Sequence, residues 1–256
     1  MIKPEFYLNK NLINSKLITG ILDKIEFRFI NNLMNREENK LYKYLHKIVP
    51  KKKNDFLNIK IKDEESLIGF KKIKDVDKMG TVASFYLINS ICKNIKRGSY
   101  LNIGVWRGFS LFSGMINTNC EVIGVDNFDE FEGLAAKEEF LKKFNKLKNE
   151  NHKFCEMDAL EFLKKCNQKF DFYFYDALHT YEYQYESLDR ADRLLKKGSL
   201  ILIDDICWNY TNDPIKATQD FLEKNKDKYK LLLDVRTKYN MHPTFWNGYF
   251  LIEKIV

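Results

Sequence analysis

The sequence predicts a doubly wound α/β sheet of five parallel strands with an antiparallel terminal hairpin, preceded by a helical appendage. Three observations carry the prediction. Two short apolar runs end in acid: Phe170-Asp171-Phe172-Tyr173-Phe174-Tyr175 before Asp176, and Ser199-Leu200-Ile201-Leu202-Ile203 before Asp204-Asp205. Such runs, rich in aromatic and β-branched residues, read as strands buried on both faces. A third run, Tyr100-Leu101-Asn102-Ile103, leads through the glycine-bearing turn Gly104–Ser110 into a helix. From about residue 76 strand and helix patterns alternate to the end of the chain, as a parallel sheet with crossover helices requires.

Residues 1–75 differ from the rest. They hold two glycines, Gly20 and Gly69, many charges, and apolar residues at helical spacing: Leu17, Ile21 and Ile25, then Leu33, Leu41, Tyr44, Leu45 and Ile48. Pro50 and Lys51-Lys52-Lys53-Asn54 make a polar break. The pattern predicts a helical appendage that packs on the core, covers the active site or forms an oligomer contact. The second unit, residues 76–256, opens with a helix over Lys78–Lys96, closed by Gly98. Strand one is Tyr100–Ile103, strand two Glu121–Val125 and strand three Lys153–Met157, with a charged helix over Leu134–Asn149 between the last two. A short helix over Ala159–Cys166 precedes strand four, which ends before Asp176. A helix over Tyr181–Leu195 and a turn at Lys196-Lys197-Gly198 lead to strand five, which ends at Asp204. A helix over Pro214–Asn225 follows. Strands near Lys230–Val235 and Gly248–Glu253 are joined by about a dozen residues without helical pattern, so they form a hairpin at the sheet edge.

Composition narrows the function classes. The chain has 256 residues, 45% of them hydrophobic, enough for a sizeable core. Mean hydropathy is −0.44, and no run of about 18 apolar residues exists to span a membrane. The start, Met1-Ile2-Lys3-Pro4-Glu5-Phe6, lacks the apolar stretch of a signal peptide. Cys92, Cys120, Cys155, Cys166 and Cys207 contain no Cys-x-x-Cys pair and suit a reducing, cytoplasmic setting. The net charge of +7 is mostly lysine spread over helix faces such as Lys137–Lys148, in a composition rich in Lys, Asn, Ile and Phe. A nucleic-acid surface would be clustered and Arg-rich, so neither nucleic acid nor membrane is the expected partner.

In an open parallel sheet ligands bind beyond the carboxyl ends of the strands. Asp176, Asp204 and Asp205 then meet on one rim, with His179 beside them. Carboxylates are hard oxygen ligands for Mg²⁺ or a similar cation, and imidazole is the side chain suited to proton transfer near neutrality. The alternative is that the acids cap the following helices, and that His179 bonds backbone at a helix start. Gly104 and Gly108 let backbone approach a ligand in Gly104-Val105-Trp106-Arg107-Gly108-Phe109-Ser110. Asp126, just after strand two, can accept both hydroxyls of a ribose, or cap a turn. Asp158, after strand three, is placed to approach an adenine edge, although Asp158-Ala159-Leu160-Glu161 also has the form of a capping box. Arg107 can meet a carboxylate or a phosphate of a ligand, or pair with a neighbouring acid. Trp106, Phe128, Tyr181, Trp208, Tyr210 and Trp246 are candidates for an aromatic platform under a ligand, or for core and lid. His152 and His242 lack comparable context.

The chain resembles the class I S-adenosylmethionine-dependent methyltransferases, with their Rossmann-like sheet. Among them it resembles the metal-dependent sugar O-methyltransferases related to macrocin and mycinamicin O-methyltransferases. Gly104-Val105-Trp106-Arg107-Gly108 is similar to their glycine-rich motif, and Asp176-Ala177-Leu178-His179 with Asp204-Asp205, 28 residues on, to their metal and base positions. The resemblance covers roughly residues 80–256. It implies S-adenosylmethionine as cofactor, held by Asn102, Gly104, Trp106, Arg107, Gly108, Ser110, Asp126, Asp158, Ala159 and Asp176. It implies Mg²⁺ or Mn²⁺ on Asp176, Asp204 and Asp205, and His179 as general base. The acceptor it implies is a sugar hydroxyl, in a nucleotide-activated sugar such as a GDP-heptose for a bacterial capsule. One departure is Asn102, where the family carries an acid that would offset the methionine amino group. Other readings are a catechol-type O-methyltransferase, a nucleic-acid methyltransferase and a non-catalytic cofactor-binding module. Against the nucleic-acid reading stands the absence of an Asp/Asn-Pro-Pro-Tyr/Phe motif: the prolines are Pro4, Pro50, Pro214 and Pro243.

Overall fold

The structure, a computed structural model, describes residues 6–8, 15–28, 59–95, 97–208, 212–237 and 240–256. Its centre is an eight-stranded sheet. In chain order the strands are β1 (Phe6–Leu8), β4 (Ser99–Ile103), β5 (Glu121–Asp126), β6 (His152–Glu156), β7 (Phe170–Tyr175), β8 (Leu195–Ile203), β9 (Tyr229–Thr237) and β10 (Tyr249–Lys254). They lie in the order β1-β9-β10-β8-β7-β4-β5-β6. The five strands β6, β5, β4, β7 and β8 are parallel, and β10 runs antiparallel to both β8 and β9. A separate two-stranded sheet pairs β2 (Ile25–Phe27) with β3 (Ile59–Ile61).

Strand periodicity sorts the core into two layers. Tyr100, Phe172, Phe174, Leu200, Leu202 and Leu251 face one layer. Leu101, Ile103, Tyr173, Tyr175, Ile201, Ile203 and Ile252 face the other. The first layer is covered by α3 (Val82–Asn94), α4 (Phe109–Met115) and α5 (Leu134–Leu147). The second is covered by α6 (Ala159–Lys165), α7 (Tyr181–Asp192) and α8 (Asp213–Lys224). Among the described residues no helix is long and apolar enough to cross a membrane.

The predicted alternation is present, with instructive differences. α3 starts after Thr81, whose hydroxyl closes a capping box with Ser84, rather than at Lys78. It stops at Asn94; the left-handed residue that follows is Arg97, at φ 53°. Gly98 is needed for space instead, because a Cβ there would lie 1.8 Å from Ile95 Cγ2. β8 begins at Leu195, paired with Phe170, so the predicted turn at Lys196-Lys197-Gly198 is a bulge inside a longer strand. The terminal strands do form an antiparallel pair. However, β10 inserts between β8 and β9, and the outer edge beyond β9 is taken by β1.

The described part of residues 1–75 is not purely helical. It contains β1, β2 and β3 besides α1 (Lys16–Leu22) and α2 (Glu64–Phe70). The helical spacing of Leu17 and Ile21 holds through α1, but Ile25 falls in β2, beyond the helix end at Asp23. Ile18, Ile21, Ile59, Ile61 and Phe70 are buried in the same core layer as the central sheet. The expected helical positions Leu33, Leu41, Tyr44, Leu45 and Ile48, the break at Pro50–Asn54, and the aromatic candidate Tyr210 lie outside the described residues.

Candidate active site

A cleft of about 760 Å³ opens over the carboxyl ends of β4 to β8. Its floor is built by backbone that few residues can adopt. Gly104 sits at φ +83°, and a Cβ there would lie 1.7 Å from the carbonyl oxygen of Asp176. Glycine is therefore demanded by the crossing of the β4 turn over the end of β7. Trp106, Phe128, Phe131, Asp205, Met241 and Trp246 all line the cleft and all hold positive φ. Strained non-glycine backbone concentrated around one cavity marks it as a functional region.

Three ligand-capable side chains meet on this floor. Asp176, His179 and Asp205 each offer an atom within 4.8 Å of the others. His179 Nε2 lies 3.3 Å from Asp205 Oδ2 and 3.9 Å from Asp176 Oδ1. The His179 ring is mostly buried, between Trp208 at 5.7 Å and Tyr175 at 6.3 Å between centroids. Asp204 lies behind this group. It is 3% exposed, its Oδ1 accepts from the Asp205 N–H at 2.7 Å, and it shares a small inner cavity with Asp176 and Tyr249. Burial, then the charge of Asp205, pushes the Asp204 carboxyl up; burial, then Asp204 and Asp205, does the same for Asp176. The structure thus brings Asp176, Asp205 and His179 to the cleft surface and Asp204 to the layer beneath them.

The nucleoside candidates separate. Asp126 reaches the cleft wall, but its Oδ2 accepts from the backbone N–H groups of Val105 and Trp106 at 2.7 and 2.8 Å, and its Oδ1 from Phe128 at 2.7 Å. Oδ2 is thereby filled, and acceptor capacity remains on Oδ1 alone. Asp126 thus holds the glycine turn, as the turn-capping alternative has it, with part of its acceptor capacity left over. Asp158 caps α6 by accepting from Glu161 N at 2.9 Å, and also accepts from the Tyr183 hydroxyl at 2.6 Å. The capping reading holds, and Asp158 and Ala159 still line the cleft.

Other expected cofactor residues point elsewhere. Asn102 is fully buried and donates to the Tyr100 hydroxyl and Ser110 Oγ, both at 3.1 Å. Neither Asn102 nor Ser110 lines the main cleft; Ser110 borders the small inner cavity. Gly108 caps α4 at φ 93°, where a Cβ would lie 2.5 Å from the Phe112 ring. A glycine is therefore required there by the packing of α4. Arg107 takes the ion-pair alternative: its guanidinium meets Glu139 at 2.6 Å, Glu132 at 2.8 Å and Asp77 at 3.6 Å, while its neighbour Trp106 faces the cleft. Of the platform candidates, Trp106, Phe128, Trp208 and Trp246 line the cleft. Tyr181 instead lies on α7, stacked on Tyr185 and bonded to Asp220.

Beyond Trp246, already a platform candidate, sequence reasoning missed Tyr183 and the rest of the wall made by residues 240–248. In that wall Asn247 bonds to Asp205, and Met241 and Trp246 face the cavity. The one local signal was Asn247-Gly248 ahead of a strand, which reads as a turn and carries no chemistry by itself.

Comparison with known proteins agrees with this geometry. Residues 101–206 match the family described as a methyltransferase domain. No curated protein is similar in sequence at a significant level. Among solved structures, an SAH-bound methyltransferase of Podospora anserina superposes with a TM-score of 0.56 at 18% identity, covering 87% of this chain and 97% of that one. An O-methyltransferase from Bacillus cereus in complex with SAH gives 0.53 at 14% identity, covering 84% and 97%. The chain has the fold of the class I S-adenosylmethionine-dependent methyltransferases, and its residues 101–206 are similar to a methyltransferase-domain family.

Proposed function

We propose that this chain transfers a methyl group from S-adenosylmethionine to a sugar hydroxyl, with a divalent cation on the acids at the strand ends. The observation that carries the reading is the convergence of Asp176, Asp205 and His179, backed by Asp204, on the floor of one cleft. The hard carboxylate oxygens of the acids suit Mg²⁺ or Mn²⁺, and the His179 imidazole stands beside them as the base. Burial, and after it the repulsion among the acids, pushes the Asp176 and Asp204 carboxyls up, and a cation would relieve the repulsion. When bound, such a cation would supply Lewis-acid activation of a substrate hydroxyl.

The side chains divide the remaining work. His179 Nε2 faces the carboxylates and takes the hydroxyl proton as the methyl group transfers. The aromatic walls, Trp208 and Trp246 among them, exclude water and offer faces on which a sugar ring lies. Seven carboxylate residues and one lysine, Lys78, line the described cleft. That lining favours a sulfonium cofactor over its uncharged thioether product. Aligning the two reactants supplies much of the rate.

The sugar acceptor rests on the resemblance of the acidic motifs to sugar O-methyltransferases. A nucleotide-activated sugar such as a GDP-heptose, used in capsule synthesis in the cytoplasm, is the specific form of the proposal. A catechol-type acceptor is the second reading, because the same acids and base serve any vicinal pair of oxygens. The test is methyl transfer from S-adenosylmethionine to panels of nucleotide sugars and catechols, by the native chain and Asp204→Ala. Methylation of one sugar, lost in the variant, supports the proposal. Turnover on catechols alone replaces the sugar reading, and cofactor binding without turnover on either panel points to a binding module.

A further inference from the structure

Asp205 holds φ 56°, a left-handed conformation that a non-glycine residue keeps only when its surroundings fix it. Its backbone N–H is held by Asp204 Oδ1 at 2.7 Å. Its carboxylate is held from the other side, where Asn247 Nδ2 donates to Oδ1 at 2.8 Å, leaving Oδ2 toward His179. Asn247 is 2% exposed and is itself aimed: its Oδ1 accepts from Met241 N at 2.7 Å.

The loop behind Asn247 is rigid by construction. His242 and Trp246 exchange backbone bonds at 2.9 and 3.0 Å. His242 Nδ1 lies 2.7 Å from Thr244 Oγ1, and the Thr244 carbonyl accepts from Thr81 Oγ1 at 2.6 Å, which ties the loop to the start of α3. Asn247 is thus one amide with both ends committed, one to a cleft carboxylate and one to the loop that presents Met241 and Trp246. Neither the methyltransferase-domain match, which ends at residue 206, nor any motif in the sequence assigns it a role.

We propose that Asn247 is a positioning residue: its amide aims the Asp205 carboxylate and locks the wall made by residues 240–248 to it. The inference rests on the proposal that Asp205 holds a divalent cation. A partner that orients a ligating carboxylate typically changes metal affinity by about 10- to 100-fold when removed. A residue that only filled space would change stability without touching cation affinity selectively.

The test is Mn²⁺ binding to the full chain, read by electron paramagnetic resonance of free Mn²⁺, beside SAH affinity and melting temperature. Native chain, Asn247→Ala and Asn247→Ser are compared; the serine keeps a polar group for the loop but has no amide to reach Asp205. The expected result is a Kd for Mn²⁺ raised roughly 10-fold or more in both variants, with SAH affinity within about twofold of native. Native-like Mn²⁺ affinity in either folded variant overturns the role given to Asn247. Failure of the native chain to bind Mn²⁺ while it binds SAH overturns the cation reading, and this inference with it. Loss of SAH affinity in parallel with Mn²⁺ affinity in both variants makes Asn247 a packing residue and also overturns the proposal.

Discussion

His179 Nε2 stands 3.3 Å from Asp205 Oδ2, although the two residues come from the ends of different strands. The sheet makes the pairing: β7 and β8 are parallel neighbours, with Tyr175 opposite Ile203 in register. The acid and the imidazole therefore leave the sheet side by side. His179→Ala should lower turnover by roughly 10²- to 10⁴-fold, the usual contribution of a positioned general base. SAH affinity should stay near native. Steady-state rates with calorimetric SAH binding check this; a variant with native turnover removes His179 from the reaction.

The Asp126 carboxylate gathers three backbone N–H groups from two loops. Hydrogen bonds to a charged acceptor contribute about 1.5–3 kcal/mol each, and orphaned donors add their own penalty. Asp126→Ala should therefore destabilise the chain by about 2–4 kcal/mol in denaturant unfolding, and raise the KM for S-adenosylmethionine through the loosened Gly104–Gly108 turn. Asp126→Asn, which keeps acceptor oxygen on one side only, should fall between.

At Gly104 the obstacle is backbone rather than a movable side chain, since the Asp176 carbonyl oxygen is 1.7 Å from where a Cβ would stand. Gly104→Ala must displace the end of β7 and also strain a positive φ. We expect a loss of more than about 3 kcal/mol, together with loss of SAH binding. Gly198, also at positive φ but with nothing within 4 Å, supplies the control: alanine there is strained without a clash. It should cost about 1 kcal/mol and leave the site intact.

Among the carboxylates held below their usual value, which include Asp63, two that are far from the cleft contribute to the acid limb of stability. Burial alone would raise Asp171, but Lys196 and the Ser99 N–H and hydroxyl outweigh it and hold the carboxyl below its usual value. Asp192 is likewise raised by burial and more than offset by Lys254, Tyr229 and Lys228. Both are depressed in the folded state, so their contribution is fully present above the unfolded value of about 3.9 and is lost as pH falls through the lower folded value. Melting temperature should fall as pH drops below about 4, and less steeply in Asp171→Asn than in the native chain.

Much of this architecture was legible because it is written in local pattern. β7 occupies the predicted residues Phe170–Tyr175, since a strand buried on both faces and bounded by acid has no competing reading. The acids at its end and at the end of β8 follow from that placement alone. What escaped depends on contacts distant in sequence. Phe170 draws Leu195 into β8 across the sheet, and three-residue strands such as Ile25–Phe27 and Ile59–Ile61 are too short to show a period. Arg107 sits beside the glycine motif in sequence, yet its side chain leaves for Glu132 and Glu139, which only folding brings near. Asn247 was silent for the same reason: 42 residues separate it from Asp205.

The most direct measurement of the central claim is methyl transfer from S-adenosylmethionine to the accepted sugar, by chain stripped with chelator and then resupplied with Mn²⁺ or Mg²⁺. The convergence of Asp176, Asp204, Asp205 and His179 predicts negligible turnover after stripping, recovery on adding the cation, and no recovery in Asp205→Ala that still binds SAH. Full turnover by the stripped native chain would contradict it.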